Sequence, residues 1–533
     1  MVAERATGGG AAVSEGAGPG AGRSGRDGAA ADARAQPVNL PAAIRRTGVL
    51  GPQPARAALG LGWTLLRHGP TLYGLAAWNA RRIPNAVALV DEHGPLTYAE
   101  LLARADAITA ILSRQVKPGA AVGLLGGNST EFVAALLACV RLGARTVLLN
   151  TSHSAAEIGR VEREQQLSLL ICDGDWPERL PGQVDAGLTV LSLSELGPAD
   201  AKSPPFLPRI GPLVLLTSGS TGTPRAVRSR VGLWAGLRVA GALVDALPLR
   251  AGAPTLLPLP LFHGHGLATL GMALALGAPL HLCRPTAEAM WRTLQQEGIE
   301  ILVLVPTLLH RLLDGPDRRA APALHTIVCG SAPLGAPLAL SALDHFGDVL
   351  FNLYGSTETG LISLATPADL RAAPGSVGRA LRGVTLELRG EVGRVIVNGH
   401  DTGDLASRDP AGRLTLQGRA DELLNCGGEN VLPASLEDRI ATLDEVAECA
   451  VVGVPCAEFG TGIHAYIVLK FGHEVTSEQL QDQLRPLLPR MFRPQKITLL
   501  DALPRTPTGK LLRSRLPAEA HMKLGATDEP SSP

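Results

Sequence analysis

Residues 213–225 read LVLLTSGSTGTPR: an apolar run that breaks into a loop with five hydroxyl residues and two glycines, closed by Pro224 and Arg225. The apolar half predicts a strand. The polar half predicts a phosphate cradle, since glycines let backbone N–H groups approach an anion and hydroxyls donate to its oxygens. The loop is not a Walker A sequence, because no G-K-[ST] follows at the required spacing. Nor is it a nucleophile elbow, since Gly219-Ser220-Thr221-Gly222 lacks the G-x-S-x-G pattern. A Ser/Gly/Thr-rich segment alone is more often a solvated loop, so its surroundings decide.

Outward from this stretch, short aliphatic runs alternate with amphipathic ones. Strands are predicted at Ala121–Leu125, Thr146–Leu149, Ile301–Val305 and Thr326–Cys329, and helices at Tyr98–Leu112 and Thr130–Leu142. Such alternation implies an α/β fold of mainly parallel sheets flanked by helices. The tract Gly418–Asp421 interrupts the pattern. Beyond it lies a smaller α+β unit, with strands near Cys449–Val454 and His464–Leu469 and a helix near Ser477–Leu484. The expected organisation is a Gly/Ala-rich disordered tail over 1–37, a large domain over 38–417, a small C-terminal domain over 418–516 and a second tail over 517–533.

Of 533 residues, 61 are Gly and 41 Pro, and the 49 basic and 49 acidic residues cancel. Zero net charge without a basic block argues against a nucleic-acid partner. Only six of the basic residues are lysine: Lys117, Lys202, Lys470, Lys496, Lys510 and Lys523. Seven scattered cysteines with no C-x-x-C pair read as reduced thiols. The apolar stretch Leu267 to Leu280 is cut by Gly271, Gly277 and Pro279 and reads as core rather than a membrane span. No leucine-rich core follows Met1, so no secretory signal is expected. The cytoplasm is the expected compartment.

Three further motifs carry chemistry. Tyr354-Gly355-Ser356-Thr357-Glu358-Thr359-Gly360 sets a carboxylate among hydroxyls in a glycine-bounded turn, suited to Mg²⁺ on phosphate oxygens. Thr402-Gly403-Asp404 offers an aspartate for ribose hydroxyls. The run PRTPTGK at 504–510 ends in a lysine on a glycine-preceded loop. In isolation each reads more simply as a turn or a surface residue.

Together and in this order they resemble the adenylate-forming superfamily of acyl-CoA synthetases, peptide-synthetase adenylation domains and luciferases. Leu96-Thr97-Tyr98-Ala99-Glu100-Leu101, Pro260-Leu261-Phe262-His263-Gly264, Val305-Pro306-Thr307, Gly330-Ser331-Ala332-Pro333-Leu334 and Gly427-Gly428-Glu429-Asn430-Val431 extend the match from about Val38 to Leu516. Within that superfamily the chain is most similar to bacterial long-chain fatty acyl-CoA synthetases.

The resemblance implies a large AMP-binding domain with a small mobile one. It further implies ATP, Mg²⁺ and coenzyme A, and two half-reactions: a carboxylate attacks the α-phosphate, releasing pyrophosphate, and the acyl group then passes to the thiol. By position, Thr217, Ser218, Gly219, Ser220, Thr221 and Gly222, with Arg225 behind them, would cradle the β- and γ-phosphates. Thr357 would contact the α-phosphate and Glu358 would hold the metal. Gly330, Ser331 and Ala332 would flank the adenine and Tyr354 would stack on it. Asp404 and Arg419 would take the ribose. Lys510 would bridge carboxylate and α-phosphate. Asp421 would be the hinge, Gly428 would face the pantetheine tunnel and His263 would gate it. Trp234, Leu237 and Gly355 are candidates for the acyl wall.

Two departures stand out. The phosphate loop ends Pro224-Arg225-Ala226 where Pro-Lys-Gly is usual, and residues 390–400 run straight into Asp401-Thr402 where a longer segment is usual. The leading reading is a fatty acid:CoA ligase for a medium- or long-chain carboxylate. A second stops at the acyl-adenylate and loads a carrier protein, and a third is a nucleotide- or acyl-binding protein without catalysis. The segment Arg56–Trp78 mixes apolar and basic residues as a peripheral contact with the inner membrane face would require. Its Gly60, Gly62, Gly69 and Pro70 argue against one continuous helix and favour packing on the large domain.

Overall fold

The computed structural model describes residues 39–196, 210–218, 224–229, 241–314, 320–356, 359–389, 392–456, 458–505 and 511–516. The tails expected at 1–37 and 517–533 lie outside them. The apolar half of the opening motif forms a strand, Leu213–Ser218, and the chain returns as Pro224–Ser229, with Thr217 opposite Arg225 and Ser218 opposite Pro224. Leu213–Ser218 pairs in parallel with Arg145–Leu149. That strand leads on, also in parallel, to Ala121–Leu125, Leu169–Cys172 and Thr189–Ser192, completing a six-stranded sheet.

A second sheet has nine strands. Its centre is parallel: Leu350–Ser356, Thr326–Gly330, Ile301–Leu304, Thr255–Leu257, Leu280–Leu282 and Val87–Asp91. Antiparallel strands close both margins. Five helices precede or follow the first strands: α1 (Leu40–Thr47), α2 (Pro54–His68), α3 (Leu72–Arg82), α4 (Tyr98–Leu112) and α5 (Thr130–Arg141). A capping box starts α4, with the Thr97 N–H donating to Glu100 at 2.8 Å and the Glu100 N–H to Thr97 Oγ1 at 3.3 Å. Helix α5 touches strands of both sheets and is buried along nearly its whole length. A helix clasped from two sides has no use for a polar face, which is why the helix is apolar from Phe132 to Val140.

The stretch around Leu267 to Leu280 is core, as read: helix Gly264–Leu276 ends at Gly277, whose φ of 63° suits glycine, and leads to strand Leu280–Leu282. Among the described residues no helix is long and apolar enough to cross a membrane. The expected break within Arg56–Trp78 comes at Gly69 and Pro70, between α2 and α3. Gly60 and Gly62 lie inside an uninterrupted α2, and the chain breaks only at Gly69. Gly60 sits against the Trp78 ring, 3.8 Å from Nε1 at its missing Cβ, so α3 supports the turn that glycine would otherwise weaken.

Past the second sheet, Leu386–Arg389, Gly393–Val397, His400–Arg408 and Leu414–Arg419 form a four-stranded antiparallel sheet. The short segment before Thr402 is a tight hairpin in which Asn398 and Gly399 both take positive φ, 50° and 84°. Asn-Gly is the pair such a two-residue turn favours. The last unit is a five-stranded sheet with helices Pro433–Ile440 and Ser477–Leu484 over its core. The strands read at Cys449–Val454 and His464–Leu469 are parts of longer ones, Val446–Cys456 and Gly460–Leu469.

Candidate nucleotide and thiol site

The C-terminal ends of parallel strands are where open α/β sheets place ligands, and several of the expected site residues, Gly330, Ser331, Tyr354, Asp404 and Arg419, gather there. Tyr354 lies near the end of Leu350–Ser356 with its ring buried. Its hydroxyl donates to Asp404 Oδ2 at 2.5 Å. Asp404 reaches it because the hairpin bulges: Arg394 pairs with Leu405 and Ile396 with Asp401, so Thr402, Gly403 and Asp404 leave the ladder together. The bulge is held by Thr402 Oγ1 donating to the Val395 carbonyl at 3.0 Å and the Gly403 N–H donating to Asp401 at 2.8 Å. Arg419 closes the group, with Nη1 3.3 Å from Asp404 and Nε 2.9 Å from Asp421. A side chain at Gly403 would meet the Arg419 guanidinium at 2.8 Å. Burial first, and the Asp404 carboxylate second, push the Tyr354 phenol well above its ordinary pKa, so it remains a donor.

On the adjacent strand, Gly330 ends Thr326–Gly330, and Ser331 takes a positive φ of 70°. A Cβ at Gly330 would lie 2.7 Å from the Leu353 carbonyl, and one at Gly355 2.6 Å from the Gly360 carbonyl. Both glycines are therefore required by close backbone packing; for Gly355 this is a reason independent of any acyl wall. Ala332 is half-buried.

Two histidines meet this edge. His265 Nδ1 is 3.1 Å from Ser331 Oγ. His263 stands at the N-cap position of helix Gly264–Leu276, without a side-chain capping bond, and packs its ring 4.6 Å from that of Phe262. Among the described residues its buried Nε2 has no hydrogen-bond partner, nor has Nδ1 of His153. Burial, then the nearby His153, lowers His263 to about 4. Burial alone lowers His265 to about 4. All three residues follow parallel strands or their connections, and His153 was missed in the sequence. Its position in the turn after Arg145–Leu149 was the available signal.

The lysine loop is described only at its base. Arg505 bridges to Leu511, and the Leu512 N–H donates to the Pro504 carbonyl at 2.8 Å. Two ion pairs pin the arms: Arg505 to Glu448 at 3.1 Å and Arg513 to Glu437 at 2.5 Å. Neither glutamate was singled out in the sequence, where a helix or strand carboxylate has no distinguishing context. Gly428 has a φ of 89° and open space at its missing Cβ. Gly219, Ser220, Thr221, Gly222, Thr357, Glu358, Lys510, Trp234 and Leu237 lie outside the described residues, while Thr217, Ser218 and Arg225 are placed by backbone register only. Among the described residues, Asp91, His93 and Glu131 alone cluster at metal-ligand spacing. Asp91 is engaged as a cap of α5, accepting from the Thr130 N–H at 2.8 Å, and Glu131 pairs with Arg104 at 2.8 Å.

Residues 76–414 match the model of the AMP-binding enzyme family, and residues 435–510 that of the AMP-binding enzyme C-terminal domain. Indoleacetate–CoA ligase of Aromatoleum aromaticum is 29% identical, over 80% of this chain and 94% of its own length. The 2-succinylbenzoate–CoA ligase of Bacillus velezensis is 30% identical over 82% and 96%. The long-chain-fatty-acid–CoA ligase FadD13 of Mycobacterium tuberculosis is 27% identical over 79% and 92%. Among solved structures, o-succinylbenzoate coenzyme A synthetase of Bacillus subtilis in complex with ATP and magnesium ion aligns with a TM-score of 0.73 at 26% identity, over 83% of this chain and 98% of that one.

Proposed function

The chain belongs to the AMP-binding enzyme family, and from that premise we propose that it activates a medium- or long-chain fatty acid. It is an AMP-forming acid–thiol ligase that uses ATP, Mg²⁺ and coenzyme A. Relatives of similar identity take indoleacetate, succinylbenzoate and long-chain fatty acids, so the acid is the part that rests on our reading. The single observation that carries the ligase mechanism on this chain is the Tyr354–Asp404–Arg419 group at the end of the central strands.

The first half-reaction joins a carboxylate oxygen to the α-phosphorus and expels pyrophosphate; catalysis there is mostly positioning and charge neutralisation. Asp404 accepts the ribose hydroxyls. A carboxylate offers about four acceptor sites, and Tyr354 and Arg419 use two of them. Mg²⁺ neutralises phosphate charge when bound, with Glu358 as the residue for it. The phosphate loop from Thr217 to Gly222 holds the β- and γ-phosphates, with Arg225 at its exit opposite Thr217. Gly330, Ser331 and Ala332 flank the base beside Tyr354, Thr357 meets the α-phosphate, and Lys510 bridges the two anions as a compact cation.

In the second half-reaction the thiolate displaces AMP from the acyl carbon. The domain beyond Gly418 turns about Asp421, which Arg419 ties to the ribose-side group, and Gly428 then lines the thiol path with His263 at its mouth. The short hairpin at Asn398-Gly399 delivers Thr402 and Asp404 with every bulge contact made. That favours an active enzyme over a binding protein.

Purified protein given Mg-ATP and a panel of aromatic, medium-chain and long-chain acids is expected to release pyrophosphate most rapidly with the long chains and, with coenzyme A, to form the thioester. Fastest turnover of an aryl acid would overturn the fatty acid. Pyrophosphate without thioester would point to a carrier protein, and no pyrophosphate with any acid to the binding protein.

A further inference from the structure

Of the nine large hydrophobic side chains exposed among the described residues, four stand together. Leu59, Trp63 and Leu66 are 77%, 55% and 73% exposed, and so is Ile210 at 63%, which lies against Gly69 at the end of α2. The three on α2 recur at i, i+4 and i+7, so they form one stripe. Ala55, Ala58 and Gly62 line the same shallow groove. The opposite side of α2 is the one that packs. Thr64 is buried, His68 meets the Tyr73 ring edge-on at 5.1 Å, and α3 lies beneath. The outer stripe has no partner within the described residues.

The charge around it is one-sided. Between Asp32 and Asp91 the sequence contains no acidic residue, yet it contains Arg34, Arg45, Arg46, Arg56, Arg67, Arg81 and Arg82, in a chain whose net charge is zero. Arg46 is paired with Asp245, and Arg82 binds Asn79 and the Val49 carbonyl. Arg45, Arg56 and Arg67 are exposed and make no ion pair among the described residues. Arg56 and Arg67 border the stripe on α2 itself.

We propose that the outer face of α2 docks the protein on an anionic phospholipid surface, with Leu59, Trp63 and Leu66 entering the headgroup region and Arg45, Arg56 and Arg67 meeting the lipid phosphates. An exposed apolar stripe edged with arginine, carrying a tryptophan at its middle, is the pattern of an interfacial helix. The charge complementarity selects this occupant over a second copy of the chain. A two-fold contact would bring the same unpaired arginines face to face, and one 15-residue helix offers little of the roughly 1,000 Å² that a stable interface needs. The inference deepens the fatty acid reading, since such acids reside in bilayers, and it rests on that reading for its purpose but not for its test.

The test is sedimentation of the full-length protein with vesicles of phosphatidylcholine alone or with added phosphatidylglycerol, in the absence of ATP, acid and coenzyme A. Binding is expected only with the anionic lipid and is expected to fall by about tenfold in 0.5 M salt, by screening. A Leu59→Ser/Trp63→Ser/Leu66→Ser variant is expected to lose at least about tenfold in bound fraction while keeping its melting temperature, because the three side chains are exposed. An Arg56→Glu/Arg67→Glu variant should bind neither vesicle. No sedimentation of the unaltered protein, unchanged binding by the serine variant, or a dimer on size exclusion that the serine variant dissolves would each overturn the proposal. None of these outcomes bears on pyrophosphate release, so the ligase reading stands or falls separately.

Discussion

The two sides of the site differ in how their polar groups are satisfied. On the side proposed for the ribose, Tyr354, Asp404, Arg419 and Asp421 close on one another. On the histidine side, His153 Nδ1 and His263 Nε2 are buried with no partner among the described residues. A self-paired group keeps its geometry before the ligand arrives, and the ligand has only to share it. An unpaired buried nitrogen carries a desolvation cost that a ligand group can relieve. The first arrangement suits a nucleotide bound in the same pose each turnover; the second suits a thiol that visits briefly.

Asp404→Asn strikes the centre of the paired side. An amide cannot accept from Tyr354, Arg419 and two hydroxyls at once, so kcat/KM for ATP in pyrophosphate release should fall by about 10²-fold. A drop of less than threefold would separate Asp404 from the nucleotide. Glu437→Gln asks whether the base of the lysine loop belongs with the paired side. It leaves Arg513 without a counter-charge and should slow adenylation by about tenfold, while thioester formation from supplied acyl-adenylate stays within twofold. Equal loss in both steps would mean a general loss of structure.

The unpaired side should show the reverse split. His153→Leu is expected to slow thioester formation from supplied acyl-adenylate by about fivefold and leave pyrophosphate release unchanged. The opposite pattern would place His153 with the nucleotide. Tyr354→Phe, which removes one donor from Asp404 but keeps the ring, should raise the KM for ATP by only about threefold.

Acid should expose the same asymmetry. His263 is held neutral by burial, with a folded pKa of about 4 against 6.5 unfolded. Its contribution to stability is complete above pH 6.5 and is lost as the pH falls toward 4, because the unfolded chain takes up the proton first. The loss is on the order of 2–3 kcal/mol. Urea midpoints should therefore decline less steeply across that window in His263→Phe. Parallel declines would show that the ring is already solvated.

Much was legible in the sequence because it is local. Helices Tyr98–Leu112 and Ser477–Leu484 form as read, since cap and periodicity lie within each segment. Strand Ala121–Leu125 does too, being a bare aliphatic run. The hairpin at Asn398-Gly399 was present as a turn pair, but it registered only as a missing segment. His153 and Glu437 were invisible. Each is brought beside a residue more than 70 positions away, His263 and Arg513 respectively, and nothing near either residue announces that neighbour.

The sequence alone therefore determined the family and the α/β class, because glycine loops, aliphatic runs and capping residues encode their conformation within a few positions. Only the tertiary structure decided that Asp404 meets Tyr354 across 50 residues, that His153 Nδ1 and His263 Nε2 are buried with no partner among the described residues, and that α2 turns Leu59, Trp63 and Leu66 outward. Those outcomes depend on strand order, a bulge of three residues and which helix face finds a neighbour. They are fixed by packing between segments distant in the chain, where local propensity has no say.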